Sequence, residues 1–382
     1  MVSYTTESIR NIALVGHGAS GKTTLVESIL HRVGKLPAPG TVEKGNTVCD
    51  FDPQEKVHQH SLDSALVNFD HDGAHVNLID TPGFADFLGQ TIGVLPAVET
   101  VAVVINAQTG IEAVTQRIME RAAERRQCRM IIINKIDVEN LDLPGLVSQL
   151  QDSFGKECLP INLPAGGGAR VVDCFFNPAG DSDFSSVAAA HSALIDQVVE
   201  MDEDLMALYL DQGEDLQPEQ LHAPFEKALR EGHLIPICFV SARTGAGVEE
   251  LLDIFVKLLP NPTEANPEPF VKGEADAGLL HCAPDPQKHL VAHVFKVLID
   301  PFVGKLGIFR IHQGTLSKDR NINQFDDVQG CWELQLFTGR PARQRTTQQE
   351  PRPPLQTARP GVLPGLFLGP IASVGSHSVS GT

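Results

Sequence analysis

Residues 16–23, with the sequence GHGASGKT, have the spacing of a phosphate-binding loop, G-x-x-x-x-G-K-[ST]. They follow the apolar run 11–15 and precede a helical pattern, which is the strand–loop–helix setting that this motif requires. Backbone N–H groups of such a loop surround a phosphate, and the helix N-terminus adds a favourable dipole. Lys22 is then predicted to bridge β- and γ-phosphates, and the Thr23 hydroxyl to ligate Mg²⁺. The alternative is an ordinary glycine-rich turn with an incidental lysine.

Residues 80–83, with the sequence DTPG, end the apolar run 75–80. Ligands of open α/β sheets bind beyond the carboxyl ends of the strands, which is where this tetrapeptide would lie. Asp80 is predicted to hold Mg²⁺ through a water molecule, and the Gly83 N–H to contact the γ-phosphate. Considered alone, the motif suits an ordinary turn, because Asp and Gly are common where strands end.

Residues 134–137, with the sequence NKID, end and follow the apolar run 130–135. The Asp137 carboxylate can accept two hydrogen bonds from the N1–H and exocyclic amine of guanine. Adenine lacks this donor pair, so Asp137 would select GTP over ATP. The Lys135 stem can cover one face of the base, and Asn134 can tie this loop to the phosphate-binding loop.

The four segments come in a definite order, each at the C-terminal end of an apolar run. The last one, residues 241–243 (SAR), would offer a backbone N–H to guanine O6. Each segment is weak evidence alone, but their order predicts one site for a guanine nucleotide and Mg²⁺, with Lys22, Asp80 and Gly83 as catalytic residues. The residues predicted to contact the nucleotide are Gly16, His17, Gly18, Ala19, Ser20, Gly21, Lys22, Thr23, Thr24, Asp80, Thr81, Pro82, Gly83, Phe84, Asn134, Lys135, Ile136, Asp137, Ser241, Ala242 and Arg243.

Short apolar runs alternate with helical patterns over residues 10–260. The runs are rich in Ile and Val and are followed by turn residues, so we predict buried strands of a mostly parallel sheet. Between them, segments such as 111–125 repeat apolar residues on one helical face. This alternation predicts an α/β fold with a doubly wound sheet. Residues 158–232 interrupt the alternation and are interpreted as an insertion subdomain.

The composition is that of a globular protein, with 42% hydrophobic and 20% charged residues. The 48 acidic and 30 basic residues leave a net charge of −18, which argues against coating nucleic acid through bulk charge. The 14 histidines have no metal-ligand spacing. No apolar run approaches the ~20 residues that cross a bilayer, and the N-terminus is too polar for a secretory signal. We therefore expect a cytoplasmic protein that binds neither DNA nor a membrane.

These residues resemble the translational GTPases, in particular the elongation factor G family and its elongation factor G-like branch. The resemblance covers about residues 8–320 and extends beyond the four segments. It includes residues 247–252 (GVEELL), 259–262 (LPNP) and 300–306 (DPFVGKL). It implies a P-loop GTPase fold that binds GTP or GDP with Mg²⁺ and hydrolyses GTP to GDP and phosphate. The ribosome becomes a candidate partner by the same resemblance.

The resemblance also divides the chain into parts. Residues 1–262 would form the GTP-binding domain, with the insertion at about 158–232, and residues 263–276 a proline-spaced linker. Residues 277–325 would begin a β-barrel domain. Residues 326–382 form an Arg-, Pro- and Gln-rich low-complexity tail, expected to be disordered or to follow a shifted reading frame. Because family members continue into three further domains, we expect no full translocase action, and a truncated, non-functional factor is an alternative.

Three positions depart from the family's pattern. Ser61 stands where the first switch has threonine, within residues 57–62 that differ from the usual R-G-I-T-I; a solvated loop serine is an equal interpretation. Phe84 replaces the histidine that positions the attacking water, and Ala19 replaces an aspartate that helps hold a monovalent cation. Because phenylalanine forms no hydrogen bond, we expect hydrolysis that is slow or needs groups from a partner. The predicted metal ligands are Thr23, Ser61 and Asp80.

Two other functions stay open. A nucleotide-switched binding module with little or no hydrolysis is favoured by Phe84 and Ala19. An ATP-dependent enzyme such as a kinase would use the same phosphate-binding loop, but Asp137 after Asn134 and Lys135 argues against it.

Overall fold

The computed structural model describes residues 4–212, 218–271, 278–300, 304–316 and 369–370. The chain divides into two units, Met1–Glu268 and Pro269–Thr382. This division falls within the predicted linker, residues 263–276. Most of the predicted tail and part of the predicted barrel segment lie outside the described residues, and the domain boundaries stay predictions.

Among the described residues, the first unit forms nine strands and nine α-helices. The strands β1 to β9 are Ile9–Val15, Ala65–His71, Ala74–Asp80, Thr100–Asn106, Cys128–Asn134, Cys158–Pro160, Asn162–Ala165, Arg170–Asp173 and Ile235–Phe239. The helices α1 to α9 are Lys22–Arg32, Pro53–His58, Leu88–Val94, Ala113–Glu124, Leu143–Phe154, Val187–Val199, Glu203–Gln212, Pro218–Glu231 and Val248–Lys257.

Seven strands of the first unit form one sheet in the order β2-β3-β1-β4-β5-β9-β6. Strand β2 runs antiparallel to β3, and all other neighbours in this sheet are parallel. The strand order reverses at β1, which lies between β3 and β4. Such a reversal opens the crevice in which α/β proteins bind ligands. The predicted α/β class with a mostly parallel sheet is confirmed.

The central strands are buried because helices pack against the sheet. All seven residues of β4 are buried, as are six of the seven in β1. Near-continuous runs of Ile and Val suit strands that have no solvated face. Helix α4 buries Val114, Ile118 and Ala122 on one side, and this is the face indicated by the spacing of apolar residues in the sequence.

Strand β2 at the edge of the sheet is absent from the sequence-based prediction. Ala65, Val67 and Phe69 are buried, whereas Asn68 is half-buried and Asp70 exposed. This alternation is typical of an antiparallel strand with one solvated face. The polar residues break up the apolar run, so a search for continuous apolar segments passes over this strand.

The predicted insertion begins with a strand of the main sheet. Strand β6 pairs in parallel with β9 at the edge, and β7 and β8 then form a separate antiparallel hairpin. Gly166, Gly167 and Gly168 turn this hairpin with φ values of 66°, 69° and 77°. Glycine adopts such left-handed conformations without the strain that a Cβ would cause. Helices α6 to α8 follow the hairpin.

The second unit is built from strands in the part of the chain that the structure describes. Strands β10 to β14 are Phe270–Val271, Leu279–Leu280, Val291–Asp300, Gly304–Gln313 and Gly369–Pro370. Strand β10 pairs antiparallel with β11, and β13 pairs antiparallel with both β12 and β14. Every helix within the described ranges of the chain is too short or too polar to cross a bilayer.

Candidate functional site

The loops after β1, β3, β5 and β9 open onto one cavity of about 500 Å³. Lys22 and Asp137, which are far apart in the chain, both line it, and so does Ser61. The predicted nucleotide residues in its lining are Gly18, Ala19, Gly21, Lys22, Thr23, Thr24, Thr81, Gly83, Phe84, Asn134, Lys135, Asp137, Ala242 and Arg243. The others belong to the same segments without lining the cavity: Gly16, His17, Ser20, Asp80, Pro82, Ile136 and Ser241.

Two glycines of the phosphate-binding loop allow contacts that no other residue would permit. Gly16 has a φ of 135°, and a Cβ there would lie 2.3 Å from the carbonyl oxygen of Val104. Gly21 has a φ of 91°, and a Cβ there would lie 2.5 Å from Nδ2 of Asn134. The loop therefore lies directly against β4 and against the NKID segment, as the glycine spacing requires.

Lys22 begins helix α1 and is almost completely buried. Its Nζ donates hydrogen bonds to the carbonyl oxygens of Gly16 and His17, each at 2.9 Å. Burial lowers the pKa of Lys22 to about 8, with Asp80 opposing this shift. A Cβ on Gly83 would lie 2.5 Å from this Nζ. The DTPG segment thus passes directly beside the ammonium group.

The three predicted metal ligands lie together. The Thr23 hydroxyl donates to Oδ2 of Asp80 at 2.7 Å, and its oxygen is 3.3 Å from the Ser61 hydroxyl oxygen. Ser61 in turn donates to Oδ1 of Asp50 at 2.8 Å. Asp50, which the sequence analysis did not single out, therefore holds Ser61 at this end of the cavity.

The carboxylate of Asp80 has the properties expected of a cation ligand. Its Oδ1 is buried and has no hydrogen-bond partner among the described residues. Burial raises the pKa of Asp80 to about 6, although the Thr23 hydrogen bond and Lys22 oppose the shift. An unsatisfied buried carboxylate oxygen beside two hydroxyls fits a hydrated Mg²⁺. The described residues contain no cluster of three His, Cys, Asp or Glu side chains that could hold a metal, so phosphate oxygens and water would complete the coordination.

Asn134 connects three of the four segments. Its Oδ1 accepts hydrogen bonds from the N–H groups of Lys135 at 2.8 Å and Ala242 at 3.0 Å. Its Nδ2 donates to the carbonyl oxygen of Ser20 at 3.0 Å. Lys135 adds a second link to the phosphate-binding loop, because its Nζ donates to the carbonyl oxygen of Ala19 at 2.8 Å.

Asp137 lines the cavity, and both oxygens of its carboxylate have a partner. Oδ1 accepts a hydrogen bond from the Ser241 hydroxyl at 2.6 Å, and Oδ2 pairs with the Arg243 guanidinium. Burial disfavours ionisation of Asp137, but the Ser241 and Arg243 interactions outweigh it and lower the pKa. The Ser241 side chain thus orients the carboxylate, whereas the sequence suggested only a backbone contribution from this segment.

Residues 7–261 match the family described as the elongation factor Tu GTP binding domain. The chain belongs to this family. An elongation factor G-like protein from Mycobacterium tuberculosis is 34% identical over 82% of this chain and 46% of the relative. Elongation factor G from Thermotoga petrophila is 29% identical over 82% of this chain and 47% of its own length. The resemblance to elongation factor G-like translational GTPases is confirmed, and the chain spans about half the length of these relatives.

A solved structure of a protein from Thermus thermophilus agrees with this membership of the elongation factor Tu GTP-binding domain family. It superposes with a TM-score of 0.70 and 30% identity, covering 86% of this chain and 48% of the other. The similarity therefore includes the main sheet and continues into the second unit.

In this member of the family, Phe84 lines the cavity directly after the DTPG segment. The ring would lie 3.0 Å from a Cβ on Gly18, and it packs against His60 with ring centroids 4.6 Å apart. His60 lines the cavity as well, although the sequence analysis did not single it out. No periodicity or motif spacing marks His60, because it reaches the cavity through the loop after α2.

Gly168 is a third residue that sequence reasoning missed, after Asp50 and His60. Its φ is 77°, and a Cβ there would lie 2.0 Å from the carbonyl oxygen of Ile136. The turn of the β7–β8 hairpin therefore supports the backbone of the NKID segment directly. The Gly-rich sequence 164–168 indicates a turn but does not indicate which segment this turn contacts.

Proposed function

We propose that this chain binds GTP and GDP with Mg²⁺ and hydrolyses GTP to GDP and phosphate. The observation that carries the proposal is that Lys22, Asp80 and Asp137 belong to separate segments that meet at one cavity. A guanine would bind at Asp137, which we call the base end of the cavity. A triphosphate would bind at Lys22, which we call the phosphate end. Membership of a GTP-binding domain family supports the same substrate.

The chain's own residues have distinct tasks in this proposal. Lys22 and the amides of residues 18–23 stabilise the charge on the β- and γ-phosphates. Gly83 offers its backbone N–H to the γ-phosphate. Thr23, Asp80 and Ser61 would hold Mg²⁺, which when bound neutralises the phosphate oxygens.

The base end provides selectivity for guanine. Asp137 is held ionised by Ser241 and Arg243, so it can accept hydrogen bonds from N1–H and the exocyclic amine. Asn134 joins this segment to the phosphate-binding loop, so the two recognition elements are held at a set separation. An adenine would leave the carboxylate without its two donors, and such mismatches are strongly rejected.

Intrinsic hydrolysis is proposed to be slow. Phe84 stands where the resemblance places a water-positioning histidine, and its ring forms no hydrogen bond. Ala19 stands where an aspartate would help hold a monovalent cation. The ribosome is the proposed partner that would supply missing groups, since the matched relatives are elongation factors. The cytoplasm is the compartment consistent with that partner.

A nucleotide-switched binding module is the second candidate, and Phe84 is the observation that favours it. Single-turnover hydrolysis of GTP with and without ribosomes separates the two functions. Turnover that rises with ribosomes supports the enzyme, and tight binding without turnover under either condition supports the module. Phe84→His tests the reason for slow turnover, because a marked rise in rate shows that only the positioning group was missing.

Displacement of a fluorescent GDP tests the guanine assignment. We expect excess GTP to displace the probe and excess ATP to leave it bound. Displacement by ATP would instead support an ATP-dependent enzyme and overturn the role of Asp137. Lys156→Ala is the control variant and should show the same displacement as the wild type. This lysine is exposed, and among its charged neighbours in the described residues it pairs only with Asp152.

A further inference from the structure

The β7–β8 hairpin of the predicted insertion contacts the NKID segment through its turn. Gly168 lies so close to that segment that a Cβ there would be 2.0 Å from the carbonyl oxygen of Ile136 and 3.4 Å from the backbone nitrogen of Asp137. Asp137 is the residue proposed to read guanine. The turn therefore packs against the stretch of backbone that carries the base-reading carboxylate.

The shape of this turn is fixed by a carboxylate from the segment after the hairpin. Oδ1 of Asp183 accepts a hydrogen bond from the Gly167 N–H, and Oδ2 accepts one from the Gly168 N–H, at 3.1 Å each. The Asp183 N–H in turn donates to the carbonyl oxygen of Pro164 in β7 at 2.8 Å. Because one planar carboxylate binds both amides of the turn, it fixes their relative positions. Asp183 thus holds Gly168 against the NKID segment.

The first strand of the hairpin is bound to the strand that leads into residues 241–243. Oδ1 of Asn162 accepts a hydrogen bond from the Phe239 N–H at 2.7 Å, and Nδ2 donates to the Phe239 carbonyl oxygen at 3.3 Å. The last pair of residues that joins β6 to β9 is Pro160 and Ile237. Beyond it, the buried Asn162 side chain takes the place of a neighbouring strand. It satisfies a main-chain N–H and C=O that would be costly to leave unpaired inside the protein.

The two attachments of the hairpin meet where the base-reading segments join each other. The Ile136 N–H donates to the carbonyl oxygen of Val240 at 3.3 Å. Gly247 passes between the hairpin and β9, since a Cβ there would lie 2.3 Å from the carbonyl oxygen of Phe239 and 3.2 Å from Cγ1 of Val171 in β8. These contacts involve both segments that are proposed to hold guanine, and none of them involves the phosphate-binding loop.

We infer that the β7–β8 hairpin is a positioning element for the guanine base and that its contact with the NKID segment sets how slowly the nucleotide leaves. This inference rests on the nucleotide binding proposed above. Asp137 can accept both hydrogen bonds from guanine only when its carboxylate is aligned with the edge of the base, so a displaced NKID backbone weakens both bonds together. Because GTP and GDP share this base, a displaced hairpin weakens the binding of both nucleotides by the same factor.

A matched pair of glycine substitutions tests this inference in the full chain. Gly168→Ala introduces the Cβ that would clash with Ile136. Gly167→Ala introduces a Cβ that has no atom within 4 Å among the described residues beyond its chain neighbours. The φ values of the two glycines are 77° and 69°, so both variants carry similar backbone strain. We expect Gly168→Ala to release a fluorescent GDP about 10- to 10²-fold faster than the wild type, and Gly167→Ala to stay within about threefold.

Asp183→Ala is the second variant, since it removes the support of the turn without adding an atom near the NKID segment. We expect GDP release to be about 3- to 10-fold faster, a smaller effect because this carboxylate is exposed. Asp183→Asn should lie between it and the wild type, because asparagine keeps one acceptor. Asp181→Ala changes an exposed aspartate two residues earlier and is the control. It should release GDP like the wild type.

Two further measurements separate a positioning role from a general loss of structure. In Gly168→Ala the affinities for GTP and GDP should fall by the same factor. The single-turnover rate at saturating GTP should stay within about threefold of the wild type, since the phosphate end is unchanged. Equal release rates in Gly168→Ala and Gly167→Ala would overturn the inference, as would a loss of affinity confined to GTP. If Gly168→Ala does not fold, Asp183→Ala decides, and an unchanged release rate there overturns the inference.

The proposed function fails in a different way from this inference. It fails if the wild type binds no guanine nucleotide, and the positioning role then falls with it. It also fails if the wild type binds GTP but never hydrolyses it, with or without ribosomes, and the release rates then still test the positioning role. A wild type that binds and hydrolyses GTP, with Gly168→Ala and Gly167→Ala releasing GDP equally fast, removes only the role of the hairpin.

Discussion

The two ends of the cavity hold their charged groups in opposite ways. At the phosphate end, burial lowers the pKa of Lys22 to about 8 and raises that of Asp80 to about 6, so both groups are displaced toward neutrality. At the base end, hydrogen bonds from Ser241 and Arg243 overcome burial and lower the pKa of Asp137. Burial thus destabilises the charges of Lys22 and Asp80, whereas hydrogen bonds within the protein stabilise the charge of Asp137.

The phosphate end would therefore contribute mainly to the affinity for the nucleotide, and the base end mainly to the selectivity for guanine. A triphosphate with Mg²⁺ would supply the missing counter-charges at the phosphate end, so ligand binding there relieves a desolvation penalty. In the proposed site, guanine would instead exchange with donors that Asp137 already has, which would yield little net energy but would reject bases with the wrong pattern. Functional sites commonly hold such groups at the expense of stability.

Lys22→Ala should have the largest effect. The ammonium group would make charged hydrogen bonds to two phosphates, each worth about 1.5–3 kcal/mol. We therefore expect GTP to bind roughly 10²- to 10⁴-fold more weakly, and GDP, which has no γ-phosphate, roughly 10- to 10²-fold more weakly. Equilibrium titration with a fluorescent nucleotide measures the change, and Lys156→Ala should bind like the wild type. Unaltered binding in Lys22→Ala would show that the phosphates lie elsewhere.

Asp137→Asn should reverse the choice of base. The asparagine amide matches the carbonyl that xanthine carries where guanine has its amine. We expect GDP to bind about 10²-fold more weakly and xanthosine diphosphate to bind better than GDP. Competition between the two nucleotides measures the preference, with Asp152→Asn as an exposed control. If the preference does not move, Asp137 does not read the base.

Asp80→Asn should stabilise the nucleotide-free protein while it weakens Mg²⁺-dependent binding. The raised pKa means that the folded state favours the protonated acid, whereas aspartate in the unfolded chain ionises near pH ~4. The penalty of burying the charge is thus absent below about pH 4, grows as the pH rises toward the folded-state pKa of about 6, and is complete above it. At about pH 8 we expect the free energy of unfolding to rise by about 3 kcal/mol.

Thermal unfolding of the wild type and of Asp80→Asn across this pH range measures the effect. The two curves should converge at the acid end of the range and separate toward neutral pH. A constant difference at every pH would show that the ionisation of Asp80 is not the cause.

Arg243→Ala should have the smallest effect. The guanidinium is 76% exposed, and exposed ion pairs contribute about 0–1 kcal/mol. Removing a competitor for the Asp137 carboxylate should leave GDP affinity within about fivefold of the wild type, with any change toward tighter binding. A loss of tenfold or more, by the same titration, would place the Arg243 side chain on the nucleotide itself.

Local sequence was sufficient for features that depend on neighbouring residues. The glycine spacing in residues 16–21 identified a loop whose backbone must make close approaches, and both Gly16 and Gly21 do so. The Ile- and Val-rich runs identified the central strands, because buried parallel strands leave no room for polar alternation. The mixed character of β2 hid that strand, since its edge position allows polar residues on one face.

The amino-acid sequence thus specified the central strands of the sheet, the four segments at their carboxyl ends and the residue types able to bind a guanine nucleotide. The folded chain alone established that Asp50 holds Ser61, that Gly168 supports Ile136 and that His60 packs against Phe84. The physical reason is the range of the contacts. Periodicity and motif spacing report on hydrogen bonds and burial within one element, whereas these contacts join loops whose approach depends on how the whole sheet is ordered.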